Sequence, residues 1–377
     1  MQLNHKIKLS AVTISILYTI TATASSDDYV RINYMNYTES GNGVQVQAPA
    51  VEVNKNFGVD YTLNASIVSD TVSGATKIYA DTTSGASAFA SRDVISNINN
   101  LNKTDVKFEE RRTAINANLI QRLKNRDEIK YGVNFSYESD YQAIGLNTGF
   151  MHWLDKNKNR SLNIGLSYAN NTILNRHDSV SGASKAETSS DIGTEIGITQ
   201  LIDKNSLISA SVFYDIESGY LNNPYYTIVR NSNTLTNEER PDKRVAIGFN
   251  IGYTKAFSKS FTSKLKYKYY SDDWDIKSHT IDINNYYELN SKFILGFGYR
   301  YYTQSQASFY NESKTYFTNE QYASSDERLS TFTSSTLKTS LDYKYNKKIS
   351  YNISFNKYTQ STGLDAMYSN IGMKYKF

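Results

Sequence analysis

The chain has 377 residues, 41 Lys and Arg against 37 Asp and Glu, a formal charge of +4, no Cys, 3 Pro, and 32 Tyr beside 16 Phe. Mixed charge without a basic block argues against a nucleic-acid partner, and no apolar run of about 18 residues is present to serve as a spanning helix. A mean hydropathy of −0.54 would suit a soluble protein, but so much tyrosine needs surroundings that are apolar at one end and wet at the other. The aromatic girdles of a bilayer-spanning barrel are such a place.

The chain opens with the basic stretch "MQLNHKIK", the apolar run "LSAVTISILYTI" and small residues ending at Ala22-Thr23-Ala24, before the polar "SSDD". This is the three-part layout of a secretory signal. A cleaved leader over 1–24 is expected, with the mature chain starting near Ser25. Loss of Lys6 and Lys8 would then bring the formal charge from +4 to +2. Absence of cysteine is compatible with an oxidising compartment.

Beyond the leader, strand patterns recur. "YGVNFSY" sets Tyr131, Val133, Phe135 and Tyr137 against Gly132, Asn134 and Ser136, and "SLNIGLSYAN" and "VAIGFNIGY" repeat the period of two. No stretch sustains helical spacing. Strands are expected near 29–38, 44–54, 60–72, 106–122, 129–139, 143–154, 161–173, 190–202, 206–217, 244–256, 261–271, 275–288, 292–303, 330–345, 349–360 and 366–377. The connections alternate between short turns, such as "DKNKNR" and "SKS", and longer loops at 73–105, 174–189, 217–243 and 304–329. Short turns on one side and long loops on the other describe an outer-membrane barrel. The fold class is therefore all-β: one transmembrane antiparallel up-and-down β-barrel over 25–377, of about sixteen strands. Fourteen strands with a periplasmic N-terminal piece is the alternative, because Pro49 breaks the second strand and suggests a bulge. At the far end, "YSNIGMKYKF" alternates Ile371, Met373, Tyr375 and Phe377 with polar residues. This pattern resembles the assembly signal that the barrel-assembly machinery reads, so that machinery and outer-membrane lipid are the expected partners.

Lipid-facing Lys or Arg costs about 2–4 kcal/mol at the bilayer midplane, so parity places charged strand residues in the lumen. In "FTSKLKYKYYSDDW", Lys264, Lys266 and Lys268 face inward if Leu265, Tyr267 and Tyr269 face lipid. Glu110, Arg112, Glu138, Glu195, Asp215, Asp282, Arg300, Lys338 and Asp342 follow. The lysine row is either an electropositive path for anions or part of the wall, paired with carboxylates such as Asp282. Asp272, Asp273 and Asp275 of "SDDWD" sit at a tight extracellular hairpin, where turn chemistry competes with Ca²⁺ binding; no dedicated metal or cofactor is expected. In the long loop, Glu238, Glu239, Arg240, Asp242, Lys243 and Arg244 alternate charge, and Arg–carboxylate pairs would pin it to the rim or into the lumen. Ser278 and His279 are adjacent, so their side chains lie on opposite faces of a strand and form no dyad. His279 shares the outer face with Ile281 and Ile283.

Several blocks are more specific than a barrel pattern demands. "YKYYSDDWDIKSHT" (267–280), "YRYYTQSQASFY" (299–310), "GYLNNPYY" (219–226), "NEERPDKR" (237–244) and "SSDERLS" (324–330) resemble the barrel family called domain of unknown function 3570. "VRINYMNYTES" and "VSDTVSGAT" are similar to its opening blocks. The resemblance implies the fold and the outer membrane and brings no catalytic residues.

The leading expectation is a porin-like passive channel for small polar solutes, with the stretch Ser73–Asp105 as candidate constricting loop. A non-conducting barrel whose loops bind a ligand or partner is the alternative. An outer-membrane lipid hydrolase using His279 and a water-soluble secreted β protein follow. Solute and oligomeric state are open at this stage.

Overall fold

Alternating apolar and small polar residues give a strand two unlike faces, and a bilayer accepts such strands only when every backbone N–H and C=O is paired. The computed structural model describes residues 27–41, 43–81, 101–177, 184–223, 226–230, 234–311 and 320–377; the expected leader lies outside them. The strands are β1 Tyr29–Glu39, β2 Gln45–Phe57, β3 Tyr61–Asp81, β4 Leu101–Arg122, β5 Glu128–Tyr137, β6 Tyr141–Trp153, β7 Arg160–His177, β8 Ser184–Asp203 and β9 Ser206–Gly219. They continue as β10 Thr227–Arg230, β11 Thr234–Asn237, β12 Lys243–Ala256, β13 Phe261–Asp272, β14 Lys277–Glu288, β15 Phe293–Gln304, β16 Phe332–Lys344, β17 Ile349–Gln360 and β18 Asp365–Lys376.

All but β10 and β11 form one closed antiparallel barrel of sixteen strands, each paired with its neighbour in sequence and β1 paired with β18. The seam runs from Tyr29↔Lys376 to Glu39↔Ala366 without a break, so neither strand is left with a free edge. Pro49 produces no bulge. The β2–β3 register is the same at Gln47↔Thr71 and Ala50↔Val68, and only Ala48 and Pro49 drop out of that ladder. Proline lacks the N–H that the ladder uses there, but its φ suits an extended strand, so the register carries through.

The outer face is apolar. Val133, Leu146, Leu166, Ile196, Val212, Leu337 and Ile371 all lie 53–60% exposed in this band. Aromatics gather at its periplasmic edge, where Phe257 stacks on Phe261 at 5.6 Å and Phe293 on Tyr343 at 4.8 Å. Toward the opposite edge Phe249 meets Tyr267 and Tyr269 at 5.8 and 5.6 Å. A closed barrel with this exterior belongs in the bacterial outer membrane.

β3 and β4 have 21 and 22 residues, and β7 and β8 have 18 and 20. A tilted strand needs about 9–11 residues to cross, so both hairpins rise well beyond the bilayer on the long-loop side. Much of the expected loop at 73–105 is therefore strand: β3 continues to Asp81 and β4 starts at Leu101. Residues 82–100 lie outside the described residues.

Candidate functional site

Parity along each strand decides what lines the lumen, and the wall is uneven. Across the middle of β5, β6 and β7 the inward positions are held by Asn, Ser, Gly and Ala, with Lys130, Tyr141 and Met151 toward the strand ends. Asn134 pairs in register with Gly145, and Gly132 with Asn147. A Cβ at Gly132 would collide with the carboxamides of Asn147 and Asn118, and one at Gly145 with that of Asn134. The glycines are thus notches into which neighbouring asparagines lie flat. Side chains laid along the wall instead of across the lumen leave space, and a cavity of about 510 Å³ borders this panel and extends to Asp191, Glu195 and Asp215 on β8 and β9.

The wall from β13 to β16 is charged. Lys264, Lys266 and Lys268 alternate with outward Leu265, Tyr267 and Tyr269, as the lipid argument requires. Lys264 lies over the Tyr286 ring at 5.3 Å and Lys268 over Phe213 at 4.6 Å. Phe213 is a lumenal aromatic, 2% exposed, seated on the notch at Gly248. Asp282, the expected partner of the lysines, is engaged elsewhere. It accepts from Arg300 Nε at 2.6 Å, from Lys338 Nζ at 2.6 Å and from the Asn284 amide. Among the described residues no carboxylate lies within ion-pair distance of Lys264, Lys266 or Lys268. Lys266 faces Asp282 in register, but Arg300 and Lys338 on the other side take both the contact and the charge.

The extracellular mouth carries a body that the strand pattern did not announce. The β9–β12 connection folds into the β10–β11 hairpin, and β10 comes within 8 Å (Cα–Cα) of β3, six strands away around the barrel. Behind it, the β15–β16 connection pairs with the same segment through Glu239↔Ala323, with N–H···O distances of 3.0 and 2.7 Å. The β13–β14 hairpin completes the cap. Trp274, Ile276, Ala307, Phe309, Tyr310 and Leu329 form its buried core, with Trp274 edge-on to Phe309 at 5.1 Å.

Ion pairs brace this core. Arg240 meets Glu238 at 2.7 Å and Asp326 at 2.8 Å, and Arg328 meets Asp326 at 2.5 Å. Glu238 also accepts from the Asn223 N–H and the Ser324 hydroxyl, each at 2.5 Å. Burial drives the Glu238 carboxyl up from its ordinary pKa, with Arg240 opposing. Burial pushes Asp326 the same way, but the guanidinium groups of Arg328 and Arg240 overcome it and hold Asp326 well below the carboxylate range. Asp326 and Arg328 were not singled out from sequence. The signal was there as opposite charge in "NEERPDKR" and "SSDERLS", but nothing local links the two.

The remaining candidates fall into place around the cap. Asp272 accepts from the N–H groups of Trp274 and Ile276 at 3.0 and 2.9 Å, from Arg244 at 2.8 and 2.6 Å, and from the Tyr270 hydroxyl at 2.8 Å. Asp273 accepts from the Val245 N–H at 2.9 Å, and Asp275 holds a positive φ of 68°. These are turn and bracing roles. Glu239 is exposed and 3.8 Å from Arg230, and Asp242 contributes its carbonyl to the Gly219 N–H at 2.8 Å. Glu110, Glu138 and Asp140 bring carboxylate oxygens within 4.8 Å of one another at the rim of β4–β6, the donor chemistry a hard cation takes. Glu110 already accepts from Ser139 Oγ at 2.7 Å. His279 faces outward, as expected, and its Nδ1 contacts the Tyr267 hydroxyl at 2.8 Å. At the seam, Phe377 donates its N–H to Asp28 O at 3.1 Å, and its ring lies under Lys55 at 5.0 Å.

Solved structures are similar to this chain at low identity. The toluene transporter TodX of Pseudomonas putida matches at 11% identity and a TM-score of 0.45 over 94% of this chain and 90% of its own. The toluene transporter TbuX of Ralstonia pickettii matches at 11% and 0.46 over 94% and 90%. The FrpB iron transporter of Neisseria meningitidis matches at 12% and 0.47 over 94% and 82%. No curated protein matches the sequence. The sequence blocks around "SDDWD", "NEERPDKR" and "SSDERLS", which the fold gathers into one braced cap, are part of a longer match: a family model described as "Protein of unknown function (DUF3570)" covers residues 9–373, and the chain belongs to that family.

Proposed function

We propose that this barrel is a porin-like passive channel for small polar solutes, narrowed on the extracellular side by the cap. The observation that carries the reading is the cavity of about 510 Å³ along a wall of short polar side chains. Barrels of sixteen strands are wide enough to hold an aqueous channel. The constricting element is the β10–β11 hairpin with its braced base; most of the candidate stretch at 73–105 lies outside the described residues. The row Lys264, Lys266 and Lys268, with no carboxylate within ion-pair distance among the described residues, favours anions along the opposite wall.

The test is conductance of the detergent-folded mature protein in a planar bilayer, with reversal potential under a salt gradient. Foldedness is established first by heat-dependent gel mobility. Stable conductance steps are expected, with mild anion preference that moves toward cations when all three lysines are changed to Ala. A folded but silent barrel would sink this reading. It would favour the second one, a barrel whose cap binds a ligand or partner, which the cap's own buried core also supports.

A further inference from the structure

We infer that the uncharged panel on β5–β7 is a transit site for neutral polyhydroxylated solutes, that is, small oligosaccharides; this rests on the channel reading above. Between Lys130 and Glu138 on β5, and along the inward faces of β6 and β7, no described lumenal side chain carries a charge. Charged groups of both signs, Arg112, Lys130, Asp191, Glu195 and Asp215, border the same cavity at the edges of the panel, so the uncharged stretch between them serves a solute that is polar without being charged. Carboxamides suit hydroxyl groups because each offers donors and acceptors together.

The hydrogen-bonding capacity is open. The carboxamides of Asn118, Asn134 and Asn147 border the cavity and, among the described residues, make no side-chain hydrogen bond, their backbones being held in the strand ladders. Deeper in the same wall, Ser136 Oγ and Asn163 Oδ1 are buried with no partner. The register alternates these polar groups with flat, side-chain-free surface: Asn134 opposes Gly145, Asn147 opposes Gly132, and Gly149 opposes Gly165. Nothing stands within 4 Å of where a Cβ of Gly165 would be. A sugar ring has the matching surface, hydroxyls around an edge and C–H groups on its faces. Contacts of this kind exchange water for protein at small net gain, which gives the weak binding that permeation needs.

The experiment uses the folded mature protein in a planar bilayer, with maltotriose as probe and a polyethylene glycol of similar hydrodynamic size as comparator. Maltotriose should reduce the ion current saturably, and the polymer should lower it only in proportion to bulk conductivity. Changing Asn118, Asn134 and Asn147 together to Ala should raise the half-blocking concentration at least about threefold while the sugar-free conductance holds. Should that variant fail to fold, Asn134→Asp keeps the shape, and it should weaken sugar block while moving selectivity toward cations. Equal effects of sugar and polymer in a conducting channel, or an unchanged half-blocking concentration in a folded variant, would overturn the inference alone. Absence of conductance for every solute would overturn the channel reading and this inference with it.

Discussion

Asp326 shows what single charges do in this molecule. Its side chain is 1% exposed, it receives Arg240 and Arg328 together, and its own carboxylate caps the short 3₁₀ turn Glu327–Leu329 through the Arg328 N–H at 3.0 Å. Asp326→Asn keeps the shape but leaves Arg240, itself 9% exposed, beside a neutral group. Breaking a buried pair from one side costs about 3 kcal/mol or more. Loss of hydrogen-exchange protection at 323–330 is the expected result, with heat-dependent mobility of the barrel unchanged. Retained protection would show that the apolar core of the cap holds without the ion pairs. The two carboxylates also give the cap opposite pH dependences. Glu238 binds its proton more tightly when the cap is closed. Its contribution is therefore full below the ordinary glutamate value, about 4.3, and is lost as pH rises through the raised one. Asp326 contributes above about 3.9 and loses its contribution as pH falls through the depressed value. The raised Glu238 pKa means that the closed cap holds this proton more tightly than the open one, so the Glu238 contribution grows as pH falls from neutrality toward the ordinary glutamate range. Exchange in the cap, corrected for intrinsic rate, should be slower at pH 5 than at pH 7.5; faster exchange at pH 5 would refute the assignment.

At the scale of elements, the β10–β11 hairpin is the piece on which the permeation path depends, because β10 reaches across the mouth to the far wall at β3. Replacing residues 227–237 by a short Gly-Ser linker removes that crossing and keeps the Glu238–Arg240–Asp326 brace below it. Single-channel conductance should then rise, by roughly half to twofold if the hairpin shades part of the mouth of a sixteen-strand lumen. Unchanged conductance would place the constriction elsewhere. This hairpin also marks where the sequence stops being legible. Barrel strands announce themselves because lipid outside and water inside enforce a period of two over ten or more residues, and all sixteen stand within a few residues of expectation at most ends. β10 and β11 have 4 residues each. They pack on other loops, and no solvent contrast imposes alternation on them. The rise of β3, β4, β7 and β8 beyond the bilayer was hidden for a related reason. Outside the membrane both faces of a strand meet water, so "SGATKIYAD" reads as a loop while its backbone continues the ladder. The inward lysines were legible from the cost of exposing them to lipid. The partner of Asp282 was not, since Lys266, Arg300 and Lys338 all face the same lumen, and only side-chain reach decides among them.

For the whole molecule, everything above rests on closure: a lumen exists only if β1 and β18 join. The seam has continuous pairing, and Asn33 fills the notch at Gly372 across it. The chain has no cysteine, so a pair introduced at the seam reports on closure without competing thiols. Asn36 and Ser369 are opposite one another in register, on the outer face, and directly opposed strand residues lie about 4.5–5.5 Å apart, within reach of a disulfide. Asn36→Cys with Ser369→Cys should oxidise to a single intramolecular bond in the folded protein. That bond ties the first strand to the last, so the boiled, unreduced chain should run faster on a gel than the reduced one. The same pair should remain reduced in the urea-unfolded chain at equal oxidant, because 333 residues of sequence separation hold the thiols apart there. Oxidation at equal rates in both states would mean that the thiols meet by chance. Failure to oxidise in protein shown to be folded would mean that the seam is open, and an open seam leaves β1 and β18 with unpaired backbone in the lipid.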